Sequence, residues 1–259
     1  MTEADLATIR ERIARSRYRV AIVDTASAGK VIAKRQRPGR GPWRARAVKA
    51  LARLFAPKLL QAVPAPGGAR AQAIEVGRLT ALAGAGVRVP EILHVDPGFI
   101  VIRHLDGPSL VQAIEAGGAA GFDAWQAGLE ALVEVHARGG YLSQAFARNF
   151  IVTRAGLAMI DFEDDPLEAM TLEQAQARDW LAYLHSTVWL LDHDPAQVRA
   201  GFSARLAQER PPVRDLVTAA GRRLAFLRHL PRSRRTWGRE VAGVQALARL
   251  FHMSSAAPA

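Results

Sequence analysis

Apolar residues recur along this chain with two periods, and the switch between them divides it. At 3–16, Leu6, Ile9 and Ile13 fall on one stripe of a helix. From 17 to 36 the pattern shortens to two β-rich runs, 18–23 and 30–34, around the turn signal "SAG", which predicts a hairpin. "RPGRGP" (37–42) and "PAPGG" (64–68) then break the chain on either side of a helical stretch at 43–60, with Trp43, Ala47, Leu51, Leu54 and Phe55 on or near one face. The next helix, over 69–86, ends on glycines, which adopt a left-handed cap without steric cost. "VRVPEILHVD" (87–96) and "FIVIRHL" (99–105) read as two further strands around the turn "DPG".

Beyond "DGPSL" the helical period dominates. Residues 109–117 and 122–138 predict two helices, the second amphipathic through Trp125, Leu129, Leu132 and Val133. "NFIVT" and "LAMIDF" interrupt as short strands joined by "RAG", and from Thr171 onward the chain is helical in period. The pattern predicts an α+β fold in two lobes. A small β-rich lobe spans 1–106, with the basic stretch as an insertion at 37–63, and a larger helical lobe spans 107–259. Their junction lies near 105–109, and the cleft between them is where a ligand would sit.

With 259 residues and 49% hydrophobic content, the chain can bury a proper core. No run approaches the ~18 consecutive apolar residues of a membrane span. The N-terminus is charged and has no apolar core of a secretion signal, and there is no cysteine for disulfides or thiolate metal sites. The expected location is cytoplasmic.

The net charge of +11 changes this picture by pointing to an anionic partner: nucleic acid, an acidic membrane surface or a phosphorylated substrate. An Ala/Arg-rich composition explains it equally well. Arg37, Arg40, Arg44, Arg46, Lys49, Arg53 and Lys58 surround the apolar residues of 43–60. Such a helix either packs on its own lobe or lies on an anionic bilayer, which would place the protein peripherally at the inner membrane. Aromatics are too sparse there for a stacking platform, so nucleic acid is not the expected partner. The arginine-rich stretch 222–239 reads as solvated surface, and His185, His193 and His229, without partners at metal spacing, read as structural.

Lys34 at the end of "VIAK", Glu75 in "AIEVGRL", Asn149 before apolar residues and Asp161 in "MIDFEDD" are each ordinary alone. Their order is not. A strand lysine, a helical glutamate, an apolar hairpin, a loop ending in asparagine and a strand ending in Asp-Phe together resemble the protein-kinase-like superfamily. The likeness covers roughly 17–190 and is closest to the bacterial lipopolysaccharide (Kdo/heptose) kinase-like group. Its catalytic loop runs H-x-x-G-x-x-H-G-D-x-x-x-x-N. In "HARGGYLSQAFARN", His136, Gly139 and Asn149 fall in place, and "ARDWLAYL" looks like the later helix whose aspartate, Asp179, braces that loop.

The resemblance implies a bilobal kinase-like fold that binds ATP and Mg²⁺. Lys34 would touch the α- and β-phosphates, aimed by Glu75, while Asn149 and Asp161 would hold the metal. Backbone groups of Arg103, His104 and Leu105 would meet the adenine edge. The phosphoryl group would pass to a hydroxyl on a lipopolysaccharide-type sugar or a protein Ser/Thr. Three departures stand against this. Gln144 occupies the catalytic aspartate's place, after Leu142-Ser143 where the family has His-Gly. Only Gly29 remains of the glycine-rich flap before the lysine. Glu163 replaces the glycine after Asp-Phe. The alternative is a pseudokinase that binds nucleotide or a protein partner with little catalysis. Glu163 and Asp164 either supply a second metal ligand or the missing base, or they cap the helix that follows "EDDP", the expected role.

Overall fold

A computed structural model describes residues 1–36, 63, 66–191, 193–230 and 234–255, with side chains except at 234–237 and 255. The basic stretch at 43–60, with Trp43, Leu51, Leu54 and Phe55, lies outside the described residues. The fold is α+β: a small four-stranded antiparallel sheet and a larger helical part.

Helix α1 (Glu3–Arg15) starts in a capping box in which Thr2 and Asp5 satisfy each other's backbone amides. Strands β1 (Val20–Thr25) and β2 (Gly29–Arg35) form the hairpin. Helix α2 (Gly68–Gly84) follows, then β3 (Ile92–Asp96) and β4 (Phe99–Arg103), giving the sheet order β1-β2-β4-β3. The expected strand at 87–96 starts only at Ile92: α2's cap consumes Val87, and Pro90 has no N–H to give a ladder. Gly86 is left-handed at φ 75°, and the Val87 N–H returns 2.9 Å to the Leu82 carbonyl, closing the helix end.

Alternation gives the sheet two unlike faces. Ala21, Val23, Val31, Ala33, Phe99 and Val101 pack with Ile9 of α1 into one closed apolar cluster. The opposite face carries Ile32, Ile100 and Ile102, which join the main core, and between them Lys34. Each buried aliphatic side chain here contributes on the order of 1.5–3 kcal/mol, so a one-residue slip in β2 would exchange Lys34 for core residues at prohibitive cost.

The helical part begins with α3 (Leu110–Glu115) and α4 (Gly118–Ala137), where Trp125, Leu129 and Leu132 are buried as the periodicity requires. A hairpin of β5 (Phe150–Thr153) and β6 (Gly156–Met159) precedes α5 (Leu172–Thr187), α6 (Pro195–Leu206), α7 (Pro211–Leu224) and α8 (Arg234–Ser255), the last kinked at Gly238. The connection from β4 is pressed onto this hairpin: Val152 N–H donates to the Pro108 carbonyl at 2.9 Å. At Gly107, φ is 144° and an added Cβ would stand 2.0 Å from the Val152 carbonyl oxygen, so only glycine fits. Among the described residues no helix is long and apolar enough to cross a membrane.

Candidate functional site

Lys34 projects from β2 toward α2, where Glu75 receives its ammonium in a short hydrogen bond. Two more carboxylates share the same cation, Glu163 at 3.3 Å and Asp161 at 3.6 Å. Arg19, just before β1, reaches Glu163 at 2.5 Å. Three carboxylates thus face two cations in a nearly closed space. Burial works against the Lys34 charge, but the three carboxylates outweigh it and raise its pKa. Burial also raises Glu75 above the usual carboxylate range; Lys34 opposes the rise, while Glu163 and Asp161 add to it.

Asn149 reaches the same place by strand pairing. Its carbonyl accepts from the Ile160 N–H at 2.9 Å, one step beyond the Phe150–Met159 pair of the hairpin, so Asn149 lies across from the residue before Asp161. Asp161 itself is left-handed at φ 74°, an uncommon conformation for a non-glycine residue. Its side chain stays 35% exposed while those of Lys34, Glu75 and Glu163 are buried. The Asn149 Nδ2 donates to the Gln144 carbonyl at 2.9 Å, which leaves Oδ1 as the oxygen turned away from that bond. A carboxylate and an amide oxygen are hard donors that suit Mg²⁺ when a ligand's phosphates and water complete the shell. Among the described residues no three His, Cys, Asp or Glu side chains form a ready-made metal cage.

The loop at 140–149 is held from below by a second charged cluster. His136, at the end of α4, is 1% exposed and lies between two carboxylates: Glu209 at 2.6 Å from Nδ1 and Asp179 of α5 at 3.4 Å from Nε2. Burial opposes its charge, but hydrogen bonds to Asp179 and Glu209 prevail and raise its pKa. Asp179 also accepts the Leu142 N–H at 2.5 Å, and Glu209 accepts the Trp180 indole N–H at 2.7 Å. The expected bracing of the loop backbone by Asp179 is present in the geometry.

Other expectations fare differently. Arg103 pairs with Val31, which sets its side chain on the face opposite Lys34, where it meets Glu91 at 2.7 Å. Its N–H donates to the Glu91 carbonyl and that of His104 to the Lys30 carbonyl, so both amides serve the sheet. The turn before Lys34 is tied to α1, with the Ala26 N–H 3.0 Å from the Asp5 carboxylate and the Ser27 hydroxyl also bound to it. The Ser27 hydroxyl, with Thr2, holds Asp5 well below the usual carboxylate range.

"EDDP" does not act as one cap. With Pro166 at the first position of a short 3₁₀ turn, Asp165 is the cap and accepts the Leu167 N–H at 3.0 Å. Glu163 and Asp164 come before that position and turn inward instead, Glu163 to Lys34 and Arg19, and Asp164 to Gln144. Sequence reasoning also missed Arg19 and Glu209, because an arginine before a strand and a glutamate after a helix carry no local mark of burial. His193, read as structural, stacks on Phe122 at 4.8 Å.

The void beside the Lys34 cluster is only about 10 Å³, lined by Arg19, Lys34, Glu75 and Glu163 among others. A cavity of about 360 Å³ lies elsewhere, between α4 and the turn of the β5–β6 hairpin, and is lined by none of the site residues. Chemistry decides between them: the small space holds the converging charges. No protein-family model matches this chain, and no curated protein matches it either.

Proposed function

We propose that this chain binds ATP with Mg²⁺ against the Lys34 cluster and transfers the γ-phosphoryl group to a hydroxyl, as its likeness to the protein-kinase-like superfamily implies. The observation that carries the proposal is one buried lysine shared by Glu75 and Asp161, side chains 41 and 127 positions away in sequence. A lone buried ion pair is weak evidence of function. A lysine outnumbered by carboxylates, one of them open to solvent, is better explained by a polyanion and cation that arrive together.

In this reading Lys34 acts as a point charge on the α- and β-phosphates, and Glu75 keeps it aimed from α2. Asp161 and Asn149 would hold Mg²⁺, which neutralises charge on the β- and γ-phosphates when bound. Val20 and Ile22 support the assignment of a nucleobase wall. They share a face with Ile32 and Lys34 yet stay exposed, a flat apolar ledge beside the cation. Gln144 would seat the acceptor hydroxyl; the acceptor class implied is a lipopolysaccharide-type sugar or a protein Ser/Thr. Transfer through a loose transition state depends mainly on positioning and charge, so an amide at position 144 weakens the reaction without forbidding it.

A second reading, nucleotide binding without transfer, is favoured by Gln144 itself, which cannot take a proton. Release of ADP from ATP and Mg²⁺ by the purified chain separates the two. Lys34→Met is expected to weaken ATP binding by about tenfold or more, as one lost charge contact of roughly 1.4 kcal/mol would. Unchanged affinity in a thermal-shift titration would exclude the cleft as the nucleotide site.

A further inference from the structure

We infer that Asp164 is the carboxylate that takes the acceptor proton, with Gln144 as the amide that seats the acceptor hydroxyl beside it. The inference rests on the phosphotransfer reading above and assigns the base that reading lacks.

Three side-chain contacts lace the loop to the segment after Asp161. The Gln144 Nε2 donates to Asp164 Oδ2 at 3.1 Å, the Ser143 hydroxyl to the Asp164 carbonyl at 3.0 Å, and the Tyr141 hydroxyl to Asp165 Oδ1 at 2.6 Å. Ser143 takes a left-handed conformation, φ 62°, where the loop bends over that segment. A carboxylate only accepts, so the amide has one sensible orientation: Nε2 toward Asp164 and Oε1 away from it. The Gln144 carbonyl meanwhile holds Asn149 at 2.9 Å, so the same residue touches the proposed metal side and the carboxylate. Arg178, a largely buried guanidinium, feels the charge of Asp164 and supplies a neighbouring cation.

The position expected to hold a carboxylate thus holds an amide hydrogen-bonded to one. A hydroxyl whose proton points at Asp164 and whose oxygen is steadied by Gln144 lies within one hydrogen bond of the place a loop aspartate would serve. In the step, the hydroxyl oxygen forms its bond to the γ-phosphorus as the bond to the β,γ-bridging oxygen breaks. ADP leaves with that electron pair, and the proton passes to the Asp164 carboxylate, which becomes the neutral acid. A base one side chain removed is tolerable because proton transfer requires reach and a suitable angle, whichever strand supplies the group.

The test uses the full chain with ATP and Mg²⁺, water serving as acceptor. ADP release and the rise in melting temperature on adding ATP with Mg²⁺ are both recorded. Asp164→Asn is expected to lower ADP release by about 10²-fold or more while keeping the thermal shift, and Gln144→Asp added to it should recover about tenfold. Release by Asp164→Asn within about threefold of the natural chain, with binding retained, overturns the assignment. So does a natural chain that binds ATP and releases no ADP. A natural chain that does not bind ATP overturns the phosphotransfer reading instead. If Asp164→Asn melts below assay temperature, Asp164→Glu decides: ADP release kept within about tenfold supports the carboxylate, and loss of release with ATP binding retained overturns it.

Discussion

The His136 cluster and the Lys34 cluster both set a cation among carboxylates, and they differ in how they end. Around His136 the contacts close on one another: a carboxylate for each ring nitrogen, a backbone amide for Asp179 Oδ2 and an indole for Glu209, with only Asp179 Oδ1 buried and without a hydrogen-bond partner among these groups. Asp179 and His136 are 0% and 1% exposed. Around Lys34 the carboxylates outnumber the lysine, and Asp161 opens to solvent at 35%. A closed cluster holds structure in place. An open one, with surplus negative charge and a reachable carboxylate, is the arrangement the proposed Mg²⁺ and ATP would use.

Breaking the closed cluster should have the largest effect. Asp179→Ala leaves the His136 ring and the Leu142 N–H short of an acceptor, and is expected to cost about 3–5 kcal/mol in urea denaturation. A loss below about 1 kcal/mol would mean that the cluster does not anchor the loop.

The next effect is a pH dependence. Because the folded-state pKa of His136 is raised, its contribution is complete below the unfolded value of about 6.5 and is lost as pH rises through the folded value. Stability should therefore decline as pH rises above about 6.5, and His136→Gln should flatten that slope. An equal slope in the variant would assign the decline to other groups.

The smallest effect sharpens the open side of the comparison. Glu163 stands 3.3 Å from Lys34, where the phosphates are proposed to bind. Glu163→Gln should tighten ATP binding a few-fold, on the order of 1 kcal/mol or less. Weaker binding in a calorimetric titration would instead make Glu163 part of the binding set.

Much of the fold was legible because its signals are local. The hairpin around 26–28, the helix ending at Gly84 and the strands flanking "RAG" follow from alternation, glycine placement and helical period. The meeting of Lys34 with Glu75 and Asp161 was expected from the order of motifs; no periodicity within the chain encodes it. Arg19 with Glu163, and His136 with Glu209, were not legible at all. Each pair joins residues from distant elements, and whether a charged side chain is solvated or paired depends on which surfaces close over it. "EDDP" shows the same limit within four residues: the proline fixes Asp165 as the cap, yet nothing local states that the two acids before it turn inward.

The most direct measurement is a calorimetric titration of the full chain with ATP, with and without Mg²⁺, repeated on Asp161→Asn. The natural chain should bind ATP, more tightly with Mg²⁺, and Asp161→Asn should lose the gain due to the metal while still binding the nucleotide through Lys34. Absence of binding by the natural chain, or a metal effect that survives the Asp161 substitution, would contradict the account.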